Sequence, residues 1–181
     1  MIILTAGHTG AGTGAQCATT QFDEGAETLW LRNRVAEILT NQYGLVVLMD
    51  DDNASLSLVR KQINAEAQTD DIVIDFHFNA HTNPQARGCE TIVADDATEL
   101  ELRVASRLAH ATADSLEIPL RCIKSESQTP HKRLAMLHLT PQSIILEVCF
   151  ITSPEDAEAY RKNRHKLANK LAQTIAKLVK P

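Results

Sequence analysis

The sequence predicts an α/β fold: a single domain over residues 1–181 with a mostly parallel, twisted sheet of about five to six strands and helices on both faces. Three observations carry this. Short β-branched runs alternate with longer stretches of helical periodicity, the order expected of strands joined by crossover helices. One run near the middle, Ile72-Val73-Ile74, is apolar at every position, as suits a strand buried on both faces. Finally, 181 residues with 44% hydrophobic and 23% charged content suit one core of ordinary globular composition.

Residues 1–5 form the first strand, which breaks at Ala6 into a loop with Gly7, Gly10, Gly12 and Gly14 around His8. Glycines at this density let a backbone take positive φ and approach a ligand closely. No Gly-Lys-Ser/Thr follows and no helix begins at once, so the loop is not a nucleotide cradle. The first helix opens at Asp23-Glu24-Gly25-Ala26-Glu27, carries Leu31, Val35, Ile38 and Leu39 on one stripe, and ends near Gly44. Carboxylates in a first helical turn are stabilised by unpaired N–H groups, so Asp23, Glu24 and Glu27 need no function on position alone.

Residues 45–49 read as a strand, 50–53 as a turn, and Ser55 as the N-cap of a helix with Leu56, Val59, Ile63 and Ala67. The central strand, residues 71–80, ends in Phe76-His77-Phe78-Asn79 and sets an imidazole at its C-terminal edge. In open α/β sheets ligands bind at that edge, although a core histidine with one satisfied nitrogen is the simpler reading of a lone His. After a polar loop at 81–88, residues 89–94 form a strand. Thr98 and Glu101 make a capping box for a helix with Leu102, Ala105, Ala109 and Leu116, closed by Pro119. Residues 120–133 read as a long loop with one short strand, the kind of loop that more often has a function than not.

Residues 143–150 form the last strand, with Glu147 embedded in it. A buried carboxylate costs several kcal/mol unless it is paired, metal-bound or neutral; an ion pair to Arg133 or Lys132 and a functional role are both open. Ser153, Pro154, Glu155 and Asp156 start a final helix whose stripe includes Leu167, Leu171, Ile175 and Val179.

A formal charge of −5 without a basic cluster argues against nucleic acid, and no segment is long and pure enough to insert into a membrane. The start lacks the basic n-region and long apolar run of a signal peptide. Cys17, Cys89, Cys122 and Cys149 include no CxxC pair; Cys89 and Cys149 read as buried thiols, and a Cys17–Cys122 disulfide is disfavoured.

His8, Glu24, His77 and Glu147 can all reach one rim of such a sheet. Two imidazoles and a carboxylate are the protein ligands of many catalytic zinc sites, and a neighbouring glutamate can shuttle protons between water and a leaving amine. No HExxH is present, so spacing alone is weak evidence. The motifs add to it. Gly7-His8-Thr9-Gly10 after the first strand, Asp23-Glu24-Gly25 opening a helix, Phe76-His77-Phe78-Asn79-Ala80 and Leu146-Glu147-Val148-Cys149-Phe150 follow the order seen in N-acetylmuramoyl-L-alanine amidases of the amidase-3 type. Residues 7–15 together with 23–28 particularly resemble the catalytic domains of phage endolysins.

The resemblance implies one Zn2+ per chain on His8, Glu24 and His77, with Glu147 as the catalytic glutamate. Glu27, one helical turn along, is the rival to Glu24. The implied activity is cleavage of the amide between N-acetylmuramic acid and L-alanine of the peptidoglycan stem, by a protein made in the cytoplasm and acting on the cell wall. Asn79 matches a motif position expected to shape the pocket or contact substrate. Two departures, Asp50 where many members have Arg and His138 where an Arg often stands, put substrate contacts in doubt and make His138 a candidate substrate-binding residue. His81, His110, His131 and His165 read as non-ligands. Another amide substrate, or a muropeptide-binding module without catalysis, remains open.

Overall fold

A computed structural model describes residues 1–9 and 13–179. Gly10, Ala11 and Gly12 of the glycine-rich loop lie outside the described residues. In chain order the elements are β1 (Ile2–Ala6), β2 (Gln16–Cys17), β3 (Phe22–Asp23), α1 (Glu24–Tyr43), β4 (Val47–Met49), α2 (Leu56–Glu66), β5 (Ile72–Asn79), β6 (Cys89–Val93), α3 (Glu99–Leu116), β7 (Leu120–Ser125), β8 (Gln142–Phe150) and α4 (Pro154–Val179). Short 3₁₀ turns occupy Glu126–Gln128 and Ala135–Leu137.

The main sheet has six strands in the order β4-β1-β5-β8-β6-β7. Neighbours run parallel except β6 and β8, which meet antiparallel. The expected α/β architecture is therefore what the chain adopts, with β7 as the short strand anticipated within 120–133. The β2–β3 hairpin was not anticipated, because two residues per strand leave no periodicity to read.

Local chemistry sets the helix boundaries. The Asp23 side chain accepts from the Ala26 N–H at the start of α1, and Gly44 closes that helix with φ 62°. Thr98 and Glu101 form the expected capping box on α3.

Side chains alternate across the strands, so each face of the sheet has its own set. One face sends Leu4, Ile74, Phe76 and Leu146 into the large core built with α1, α3 and α4. The other sends Ile3 and Val73 against Val59 and Ile63 of α2 and Met136 of a 3₁₀ turn. That second cover is smaller and stops short of the C-terminal ends of β1 and β5. All four cysteines are free, so no Cys17–Cys122 disulfide forms.

Candidate metal centre

The strand ladder positions the first two groups. The Gly7 N–H donates to the Phe76 carbonyl at 2.8 Å, extending the β1–β5 pairing by one residue and delivering His8 beside the end of β5. His77 and His8 then meet edge to face, ring centroids 5.3 Å apart. Glu24 enters from the first turn of α1. Its Oε1 lies 3.3 Å from His77 Nδ1 and its Oε2 3.8 Å from His8 Nε2. One ligand atom from each of the three residues lies within 4.8 Å of the others, close enough to share a single cation.

Backbone amides hold the carboxylate in place: Ala15 N–H donates to Oε2 at 2.8 Å and Phe78 N–H to Oε1 at 3.0 Å. Burial pushes the Glu24 carboxyl up, but His77 and these two amides outweigh it and keep the group below its ordinary value, hence ionised. His77 is opposed by burial too. Asp75 and Glu24 nevertheless raise it well above an ordinary histidine, with Glu147 adding to the field.

Two glycines make room. A Cβ on Gly7 would lie 2.1 Å from the His77 ring, and one on Gly14, which also has φ +71°, would lie 2.7 Å from both Glu24 and His8. The donor set, its preset spacing and the small residues moulded around it all fit a zinc ion.

Glu147 stands in register with His77 on one side and with Glu90 on the other, so all three leave the same face. Its Oε2 is buried with no hydrogen-bond partner. Burial raises its carboxyl to about 7; His77 pulls the other way, while Glu24, Glu90 and Asp75 add to the rise. Neither Arg133 nor Lys132 pairs with it, so the ion-pair alternative is not what the fold adopts; Lys132 instead donates to the Ser127 carbonyl.

The remaining candidates separate. Glu27 turns into the α1–α4 interface, where it accepts from the Tyr160 hydroxyl at 3.1 Å and pairs with Arg164 at 3.2 Å. Asn79 donates to Glu90 at 2.8 Å and accepts from the Ala80 N–H. His138 faces Glu126 at 2.8 Å, and no contact joins it to the triad among the described residues. The Asp50 side chain is buried and accepts from Arg32 at 2.6 Å, a cation supplied by α1.

Two carboxylates near the site, Glu90 and Asp75, escaped sequence reasoning. Glu90 is buried and answered by Lys124 at 2.8 Å and Arg121 at 3.1 Å. Asp75 lies behind His77, and Asp50 joins Asp75, Thr5, His8 and Met136 in lining a cavity of 260 Å³. Polar residues at alternate positions 75, 77 and 79 of an otherwise apolar strand were the available signal for Asp75.

Comparison with known proteins bears on the family and the fold. A putative N-acetylmuramoyl-L-alanine amidase from Neisseria meningitidis is 29% identical, with TM-score 0.79 over 97% of this chain and 93% of that one. The amidase of Nostoc punctiforme superposes with TM-score 0.81 at 20% identity, covering 100% of this chain and 98% of that one. The catalytic domain of an endolysin targeting Clostridia difficile gives 0.71 at 20% identity, covering 98% and 95%. No curated protein matches the sequence. The family profile described as N-acetylmuramoyl-L-alanine amidase matches residues 2–180, essentially end to end, and the chain therefore belongs to that family, the amidase-3 type.

Proposed function

We propose that the chain hydrolyses the amide between the lactyl group of N-acetylmuramic acid and L-alanine of the peptidoglycan stem, with one zinc ion held by His8, Glu24 and His77 and with Glu147 as the acid–base group. The observation that carries this reading is the Glu147 carboxylate. It is held beside the triad, half-buried and raised to about 7, with Oε2 left unpaired. Such an oxygen is costly in a structural role and useful in a catalytic one.

Zinc, when bound, supplies Lewis acidity that polarises a carbonyl and makes water acidic near neutral pH. Glu147 takes the proton from the attacking water and returns it to the departing L-alanine nitrogen, a two-way task suited to a carboxyl raised to about 7. Glu90, fixed by Lys124 and Arg121, keeps the Asn79 side chain turned along the same rim. His8, with 40% of its side chain open to solvent, marks the side from which a large polymer would reach the triad. No described helix is long and apolar enough to cross a membrane, and the implied place of action is the cell wall.

Digestion of purified peptidoglycan, with mass analysis of the products, tests this. Wild type should release stem peptides that begin with free L-alanine. Glu147→Ala, or chelation of the wild type, should cut that release by at least about a thousandfold. A wild type that binds no stoichiometric zinc, together with undiminished release by Glu147→Ala, would overturn the reading.

A further inference from the structure

Behind His77 lies a carboxylate that the proposed chemistry does not use. Asp75 precedes His77 by two residues on β5, so both side chains leave the same face of the strand. Asp75 Oδ2 is 3.1 Å from His77 Nε2. Asp75 Oδ1 accepts the Thr5 hydroxyl at 2.7 Å from the neighbouring strand, where Thr5 and Asp75 are register partners. Thr5 and Asp75 are each 2% exposed, so water does not compete for these bonds. The other ring nitrogen, Nδ1, looks the opposite way, towards Glu24 Oε1 at 3.3 Å. Gly7 closes the flank of the ring, since any Cβ there would collide with Cε1 and Nε2.

An ionised carboxylate can only accept, so the nitrogen facing Asp75 must carry hydrogen. In a neutral imidazole the lone pair is then on Nδ1, the atom that faces the triad. We propose that Asp75, braced by Thr5, is a positioning residue that fixes the ring plane and tautomer of His77 and so presets Nδ1 as the metal-donating atom. The chain Thr5–Asp75–His77 crosses from β1 to β5 and back towards the site. Two neighbouring strands thus hold one ring. The inference rests on the triad being the zinc site, and it concerns which nitrogen donates and how firmly.

The test reads zinc affinity, not turnover. Wild type, Asp75→Ala, Asp75→Asn and Thr5→Val are titrated with zinc against a chromophoric chelator, with His8→Ala as the control that removes a ligand. Asp75→Ala should weaken zinc by about 10- to 100-fold, the range for loss of a carboxylate behind a ligating histidine. Asp75→Asn keeps an acceptor oxygen and should recover part of that loss, and Thr5→Val should cost only a few-fold. Nitrogen-15 imidazole spectra of the zinc-loaded wild type should show His77 protonated at Nε2 and bound through Nδ1. A purely structural Asp75 would lower thermal stability and leave zinc affinity within twofold of wild type, which overturns the inference. Binding through Nε2 overturns it as well, and that spectrum decides even where Asp75→Ala does not fold. If wild type binds no zinc, the site reading falls too, so the two failures are distinguishable.

Discussion

On the face covered by α1, α3 and α4, strands β1, β5 and β8 present Leu4, Ile74, Phe76, Ile144, Leu146 and Val148, all buried and all apolar. On the opposite face, the same strands over the same length present Thr5, Asp75, His77 and Glu147, which hydrogen-bond, ion-pair or titrate with one another. Backbone geometry is common to both, so the contrast comes from which parity of each strand is polar. Ile3 and Val73 lie below the polar groups on that second face and pack on α2, so the change from core to site happens within one strand, between residues 73 and 75. A parallel register then stacks the polar positions of adjacent strands side by side: Thr5 beside Asp75, and His77 beside Glu147. The fold supplies convergence without needing any two of these residues to be close in sequence.

The sharpest way to break this contrast is to fill the space that the polar face keeps open. Gly7→Ala places a methyl group 2.1 Å from the His77 ring, where only displacement of the ring relieves the overlap. Zinc affinity should fall at least about tenfold and release of stem peptides at least about a hundredfold, with the protein still folded by circular dichroism. Unchanged zinc affinity would mean that the ring has slack the packing does not suggest. The apolar face should respond in the other currency. Leu108→Ala on α3 removes a fully buried side chain and should cost about 3 kcal/mol in denaturant melts, while turnover per folded molecule stays within about twofold.

The same parity explains what was legible in the chain. The alternation of strands and helices, the capping box at Thr98 and the apolar stripe of α1 are local signals, and each element formed where those signals lie. His8 stood out by its place in a glycine-rich loop after the first strand, Glu24 because it opens a helix, and His77 and Glu147 because each interrupts an apolar run. Asp75 carried the same signal, yet a strand taken as buried on both faces hides a period of two beneath its apolar bulk. Glu90 was overlooked for another reason. Its partners Arg121 and Lys124 sit on β7, a strand whose exposed residues give no clear period, so nothing local announced a buried carboxylate with two cations. Glu27 shows the converse limit. It follows Glu24 by three residues in the same helical turn, yet Glu24 meets His77 while Glu27 meets Arg164 and Tyr160, and that division depends on where α4 packs.

A subtler effect separates the two faces without touching turnover. The Glu147 carboxyl is raised from an ordinary 4.5 to about 7, chiefly by burial, so the metal-free folded state holds its proton more tightly than the unfolded chain does. Stability contributed by the neutral acid is therefore complete below about pH 4.5 and is lost as pH rises through about 7. In chelator, wild type should lose about 2 kcal/mol relative to Glu147→Gln between pH 5 and pH 8, because the amide keeps the shape and never ionises. Urea melts of the two proteins at both pH values measure this difference directly. At pH 8 the variant should be the more stable protein although it is the inactive one, which is the signature of a group retained against the interest of the fold. Parallel profiles would mean that the charged His77 already balances the ionised carboxylate in the folded state. The polar face would then differ from the apolar one in its donors and its shape, and not in the electrostatic strain it carries.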